Sequence, residues 1–182
     1  MSAPKTFVAL LRGINLAGRN RVPMPELRAS LEALGLEDVV TYIQSGNVVF
    51  RSSTGRAQKL AARIEGRIAE AFGIEVVVVL RTPAELRKIA GSNPFLKRGA
   101  DPSRLHVVFL SGRPAKKAAA QLDPHRSPPD EFSLKEREIY LHLPNGFGRS
   151  KLTVDYFERR LGVDATARNW KTLTKLVALT RE

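Results

Sequence analysis

The stretch Val39-Val40-Thr41-Tyr42-Ile43-Gln44-Ser45-Gly46-Asn47-Val48-Val49-Phe50-Arg51 decides the fold. Two runs rich in β-branched and aromatic residues, Val39 to Gln44 and Val48 to Arg51, flank Ser45-Gly46-Asn47. Gly and Asn tolerate positive φ, so these three residues read as a tight turn and the whole stretch as a β-hairpin. On its N-terminal side, Pro23 to Leu34 places Met24, Leu27, Leu31 and Leu34 on one helical face, with Pro25 in the first turn and Gly35 as the stop. Before that helix, Phe7 to Leu11 reads as an apolar strand. On the C-terminal side, Arg56 to Phe72 repeats Ala57, Leu60, Ile64, Ile68 and Ala71 at helical spacing, and Gly73 ends it. Ile74 to Leu80 is a continuous apolar run, as in a strand covered on both faces. The order β-α-β-β-α-β is the split βαβ unit.

The second half carries nearly the same order. Pro83 to Ala90 reads as a helix, Leu105 to Leu110 as a strand and Pro114 to Leu122 as a short helix. Glu131 to Leu134 and Glu138 to Leu143 form a second hairpin around Lys135 to Arg137, followed by the Gly-rich turn Pro144 to Arg149. Thr153 to Leu161 and Ala167 to Thr180 complete the chain as helices, capped by Thr153 and Thr166. The result is β-α-β-β-α, with a boundary between the halves near Thr82 to Asp101. The two halves share no visible sequence, so the repeat is one of element order.

Composition narrows the classes. The chain has 182 residues, 43% hydrophobic and 26% charged, which is the make-up of a globular protein with a real core. No apolar run approaches the roughly 20 residues of a membrane helix, and Phe7 to Leu11 reads as a strand and not as part of a signal peptide. The expectation is a cytoplasmic protein without membrane association. With no Cys there is no disulfide framework, thiol nucleophile or Cys-ligated metal, and the three His are scattered, so no metal site and no cofactor is expected. Lys and Arg number 30 against 18 Asp and Glu, a net charge of +12. Such a surplus favours anionic partners.

Three polar segments and two basic helix faces stand out beside that charge. Arg12-Gly13-Ile14-Asn15 through Gly18-Arg19-Asn20-Arg21 lies between a strand and a helix, where α/β units often hold ligands, and Arg supplies a bidentate anion fork. Gln44-Ser45-Gly46-Asn47 offers amide and hydroxyl groups at a hairpin tip. Gly146-Phe147-Gly148-Arg149-Ser150-Lys151 precedes a helix whose free N–H groups suit an anion. In the last expected helix Arg168, Lys171 and Lys175 share a face opposite Trp170, Leu173 and Val177. In the earlier helix Arg56, Lys59, Arg63 and Arg67 form a second basic stripe. Each segment also has a plain structural explanation: ordinary turn chemistry, a helix cap or a solvated helix face.

Leu10-Leu11-Arg12-Gly13-Ile14-Asn15, Val22-Pro23-Met24, Thr41 to Phe50, Asn93-Pro94-Phe95, Ser150-Lys151-Leu152 and Thr166 to Thr172 together resemble the domain-of-unknown-function 1697 family of bacterial proteins. The resemblance spans nearly the whole chain. It implies an α+β fold of two ferredoxin-like (split βαβ) units packed in tandem, here residues 1–81 and 82–182. It implies no activity and no catalytic residue. The candidate ligand-binding residues are therefore those argued above: Arg12, Asn15, Ser45, Asn47, Ser150, Lys151, Arg168, Asn169 and Lys171. Arg12, Asn15, Ser45, Asn47, Lys151 and Arg168 are expected to converge, at least in part, on one concave surface. The expected partner is a phosphate-bearing ligand, foremost nucleic acid. The strand Gly46 to Phe50 lacks the aromatic signature of RNA-recognition sheets, which favours backbone over base contact. The alternatives are an enzyme for a small phosphorylated or acidic substrate and a basic protein-interaction module.

Overall fold

A computed structural model describes residues 3–181. It is an α+β structure with two four-stranded antiparallel sheets and, among the described residues, seven α-helices. The chain divides into two compact units: the described residues of Met1–Glu85 with Ala178–Glu182, and Leu86–Val177. No helix among the described residues is long and apolar enough to cross a membrane.

In the first unit β1 (Lys5–Arg12) is followed by α1 (Met24–Ala33), β2 (Glu37–Tyr42), β3 (Asn47–Ser52), α2 (Ala57–Phe72) and β4 (Val77–Arg81). The sheet order is β2-β3-β1-β4. Strand alternation turns Phe7, Ala9 and Leu11 of β1 toward one core, where they meet Leu27 and Leu31 of α1 and Leu60, Ile64 and Ile68 of α2. Burying each of the Leu, Ile and Phe side chains stabilises the fold by roughly 1.5–3 kcal/mol. α2 ends at Gly73, whose left-handed φ of +66° sets the cap. The hairpin forms as expected with its turn displaced. Tyr42 and Asn47 are the closing pair, so residues 43–46 make the turn and Asn47 belongs to the strand, fully buried.

The second unit contains most of α3 (Pro83–Gly91), then α4 (Pro94–Lys97), β5 (Leu105–Leu110), α5 (Lys116–Ala119), β6 (Glu131–Lys135), β7 (Glu138–His142), α6 (Val154–Leu161), β8 (Ala165–Asn169) and most of α7 (Trp170–Leu179). The sheet order is β6-β7-β5-β8. Val108, Leu110, Ile139 and Leu141 pack with Phe157 and Leu161 of α6, and Phe132 meets Phe157 edge-on at 5.7 Å.

β8 corrects the expected helix from Ala167 to Thr180. Ala165-Thr166-Ala167-Arg168-Asn169 pairs along its whole length with β5, and the helix starts only at Trp170. Thr166 is a buried strand residue. Asn169 is the cap: its side-chain oxygen accepts the Thr172 N–H at 2.8 Å. The local preference of Ala and Arg for helix is overridden by a pairing some sixty residues away in the chain. The expected strand Ile74 to Leu80 likewise shortens to begin at Val77, which is half-buried.

The fourth strand of each unit is finished in the same way. Glu65 of α2 accepts the Val78 N–H at 2.9 Å, and Arg81 Nη1 donates to the Leu80 carbonyl at 2.8 Å. Glu158 of α6 accepts the Ala165 N–H at 2.8 Å, and Arg168 Nη1 donates to the Ala167 carbonyl at 2.8 Å. Arg81 and Arg168 are both buried. These matched contacts are a residue-level repeat that the two half-sequences do not display.

A Cβ at Gly46 would lie 2.7 Å from Ile14 Cδ1 and 2.8 Å from Leu11 Cβ, and φ there is +85°. Gly66, inside α2, has open space around it. Gly46→Ala should therefore lower stability by about 3 kcal/mol, whereas Gly66→Ala should raise it by up to ~1 kcal/mol. Urea denaturation of the two variants checks both signs.

Candidate functional site

The first polar segment folds into a loop locked by two asparagines. Asn15, at φ +51°, donates from Nδ2 to the carbonyls of Val22 (3.0 Å) and Gln44 (2.8 Å), and its Oδ1 accepts the Val22 N–H at 2.8 Å. Asn20 Nδ2 donates to the Gly13 carbonyl at 2.7 Å. Leu16 and Arg19 exchange backbone hydrogen bonds across a two-residue turn. The second segment is held by Asn47, whose Nδ2 donates to the Tyr42 carbonyl at 3.0 Å and to Ser45 Oγ at 3.1 Å. Leu11 N–H reaches the Gly46 carbonyl at 2.8 Å and joins the two segments. Asn15, Ser45 and Asn47 are thus brought together, with the two asparagine amides engaged on protein carbonyls. Arg12 lies on the rim of an open groove of about 640 Å³, alongside Glu65, Gly66 and Glu75.

The basic stripe on α2 is partly structural as well. Arg63 donates to the Leu34 carbonyl at 3.1 Å, and Arg67 Nε donates to Ser30 Oγ at 3.0 Å, so both tie α2 to the end of α1.

In the second unit Arg168 sits on β8 and not on a helix face with Lys171 and Lys175. Its guanidinium is buried and donates to Thr166 Oγ1 at 2.8 Å. Burial pushes its pKa down to about 10, so it remains charged at neutral pH. Asn169 and Lys171 line an open cleft of about 440 Å³ with Pro102, Ser103, Trp170 and Thr174. Nearby in the β5–β8 ladder, His106 stands opposite Asn169 and stacks on Phe147 with ring centroids 4.9 Å apart. Burial holds the His106 pKa below its ordinary value, and its Nδ1 is enclosed with no hydrogen-bond partner among the described residues.

Ser150 and Lys151 belong to a different cluster. Ser150 Oγ accepts the Leu152 N–H, and the Lys151 N–H donates to Ser127 Oγ at 3.0 Å. Arg126 Nε donates to the Lys151 carbonyl at 3.0 Å, and its Cζ lies 4.0 Å from the centroid of the Tyr156 ring. Arg160 approaches the same ring at 5.9 Å. The Tyr156 hydroxyl accepts the Asp123 N–H at 3.0 Å and fastens this loop to α6. Among the described residues, Arg126, Lys151 and Arg160 have no carboxylate within ion-pair distance. Sequence reading missed Arg126, Tyr156 and Arg160. The spacing of Tyr156 and Arg160 on the expected helix puts them on one face, but Arg126 arrives from a loop thirty residues earlier. Among the described residues no three His, Asp or Glu side chains cluster as a metal site requires.

The profile of the family described as "Protein of unknown function (DUF1697)" matches residues 5–140, well over half of the chain. The chain belongs to the DUF1697 family. Among solved structures, this DUF1697 protein is similar to the conserved bacterial protein SP0830 from Streptococcus pneumoniae. The two are 25% identical, with 99% of this chain and 100% of that chain covered and a TM-score of 0.78. No curated protein matches the DUF1697 chain.

Two outcomes test this description of the site. Asn47→Ala removes the buried Asn47 amide that donates to the Tyr42 carbonyl and should cost about 1–3 kcal/mol by thermal or urea denaturation. His106 is held neutral in the fold and takes up a proton at about pH 6.5 once unfolded. Its contribution to stability is therefore present above that pH and lost as the pH falls toward the lower folded value. Urea midpoints measured from about pH 8 to 5 should fall less steeply for His106→Gln than for the parent chain.

Proposed function

We propose that this protein binds a polyanion, nucleic acid foremost, through the cationic surface of its second unit around Tyr156. The reading also takes the two units, residues 1–81 and 82–182, as ferredoxin-like, a view supported by the matching sheet orders and by the split βαβ order of elements. The observation that carries the binding proposal is the pair of guanidiniums on one ring. Arg126 and Arg160 both approach the Tyr156 ring, and Arg126 Nε donates to the Lys151 carbonyl. Guanidinium forks gathered at one ring can donate paired hydrogen bonds to phosphate oxygens. Among the described residues, Arg126 uses only Nε for a protein acceptor, which leaves its terminal amino groups available to a ligand. The net charge of +12 adds long-range attraction. In this reading Ser150 and Lys151 belong to the contact surface, Asn169 and Lys171 offer a second contact at the α7 cleft, and Asn15, Asn47 and Arg168 hold the scaffold.

Fluorescence anisotropy with a labelled DNA duplex tests the reading. Three phosphates neutralised by Arg126, Lys151 and Arg160 give a log–log salt slope of about −2.7, a roughly fortyfold loss of affinity between ~50 and ~200 mM salt. Arg126→Gln with Arg160→Gln should weaken binding and flatten the slope toward about −0.9. Absence of DNA and RNA binding at ~50 mM salt would overturn the proposal.

A further inference from the structure

The start of α7 carries a set of donors that the fold leaves unused. Asn169 caps the helix through Oδ1, which accepts the Thr172 N–H, and among the described residues nothing accepts from its Nδ2. Trp170 is 6% exposed. Its indole N–H is not enclosed and has no acceptor among the described residues, so it is one of the few atoms through which Trp170 meets the cleft it lines. Buried indoles ordinarily find a partner for this N–H, and an unpaired one on a cavity wall is where a ligand acceptor fits. Lys171 is exposed and pairs with no carboxylate among the described residues.

The field at this point is positive for local reasons. The cleft of about 440 Å³ is completed by Pro102, Ser103 and Thr174, and no carboxylate lines it. Asp101, next to this lining in the chain, is taken up by Ser103: its Oδ1 accepts the Ser103 N–H at 2.9 Å, and the Ser103 bonds hold its carboxyl below the usual range. α7 is 10 residues long with no acidic residue in its first turn, and the positive end of its macrodipole lies here. Lys175 follows one turn later and is exposed as well.

We propose that the α7 cleft binds a phosphate monoester, its phosphate received by Asn169 Nδ2, the Trp170 indole N–H and the Lys171 ammonium. Every one of these groups is a donor, so the ligand must be rich in acceptors. A monoester phosphate brings three strong acceptor oxygens and nearly two charges at neutral pH, where a carboxylate brings two oxygens and one charge. The cleft falls in the size range of small-molecule sites and has room beyond the phosphate, so the rest of the ester lies along Pro102 and the aliphatic stem of Lys171. A sugar phosphate and the phosphorylated end of a nucleic-acid strand share this chemistry. The inference goes beyond an accessory polyanion contact at Asn169 and Lys171, and it does not depend on the surface around Tyr156.

Trp170 is the sole tryptophan of the chain, so its fluorescence reports on this cleft. Ribose phosphate, followed by that emission and by isothermal titration calorimetry, should bind saturably, ribose should not bind, and inorganic phosphate should bind about tenfold more weakly. Asn169→Asp keeps an oxygen to cap the Thr172 N–H, so its melting temperature should hold. It also replaces the amide donor with a charge that repels phosphate, and binding should be lost. Lys171→Gln should raise the Kd about tenfold. Displacement of ribose phosphate by a single-stranded oligonucleotide only when its end is phosphorylated supports the site with the strand end as source, and no displacement supports it with a free ester as source. No saturable binding of ribose phosphate would overturn the proposal. So would equal binding of ribose, equal binding of inorganic phosphate, which marks an adventitious ion only, or undiminished binding by Asn169→Asp.

Discussion

The close approach at Gly46 governs the first unit. The backbone at that point passes so near Leu11 and Ile14 that no side chain fits between them. That proximity lets the Leu11 N–H reach the Gly46 carbonyl, which prolongs the β1–β3 ladder beyond Leu10 and Asn47. It also brings the Gln44 carbonyl within reach of Asn15, whose side chain then fixes Val22 at the approach to α1. The central strand, the hairpin and the start of the first helix are registered against one another by a glycine and an amide. The polar residues that look most like ligand contacts in the sequence are occupied in making this joint.

Each unit finishes the fourth strand of its sheet with the same parts. A carboxylate from the preceding helix takes an N–H of the fourth strand, and an arginine three residues further along the strand takes a carbonyl. Burying a guanidinium is expensive unless its donors are satisfied. Arg168 meets this by turning back on its own strand and on Thr166, and it keeps its charge with a pKa lowered to about 10. These arginines belong to the scaffold of both units, which explains why a basic side chain appears where an alternating pattern leads to an apolar one.

The legible parts of the fold were those carried by short-range pattern. Val39 to Arg51 announces a hairpin because β-branched residues flank a glycine, and Leu60, Ile64 and Ile68 announce a helix because their spacing can serve nothing else. β8 was hidden because Ala-Thr-Ala-Arg-Asn has no strand pattern of its own and becomes a strand only against β5. The site was legible to the level of residue type. Motif residues near Arg12 and Ser45 do come together, but the direction of a polar side chain depends on register, and a shift of the turn by one position put Asn47 inside. Tyr156 and Arg160 share a helix face in the sequence. Their third member, Arg126, is positioned by a bond to Lys151 that no local pattern encodes.

The two edge joints are reached over different lengths of chain. α2 has 16 residues and α6 has 8, and the bond from Glu65 to Val78 closes a longer loop than the bond from Glu158 to Ala165. The architecture thus separates what must be kept from what can drift. The carboxylate-to-amide joint recurs in both units, while the length of chain between its ends differs. A change of length there costs little, because closure entropy grows only slowly with loop length. Two descendants of one ancestral module could therefore lose all visible likeness in sequence while retaining the same joint.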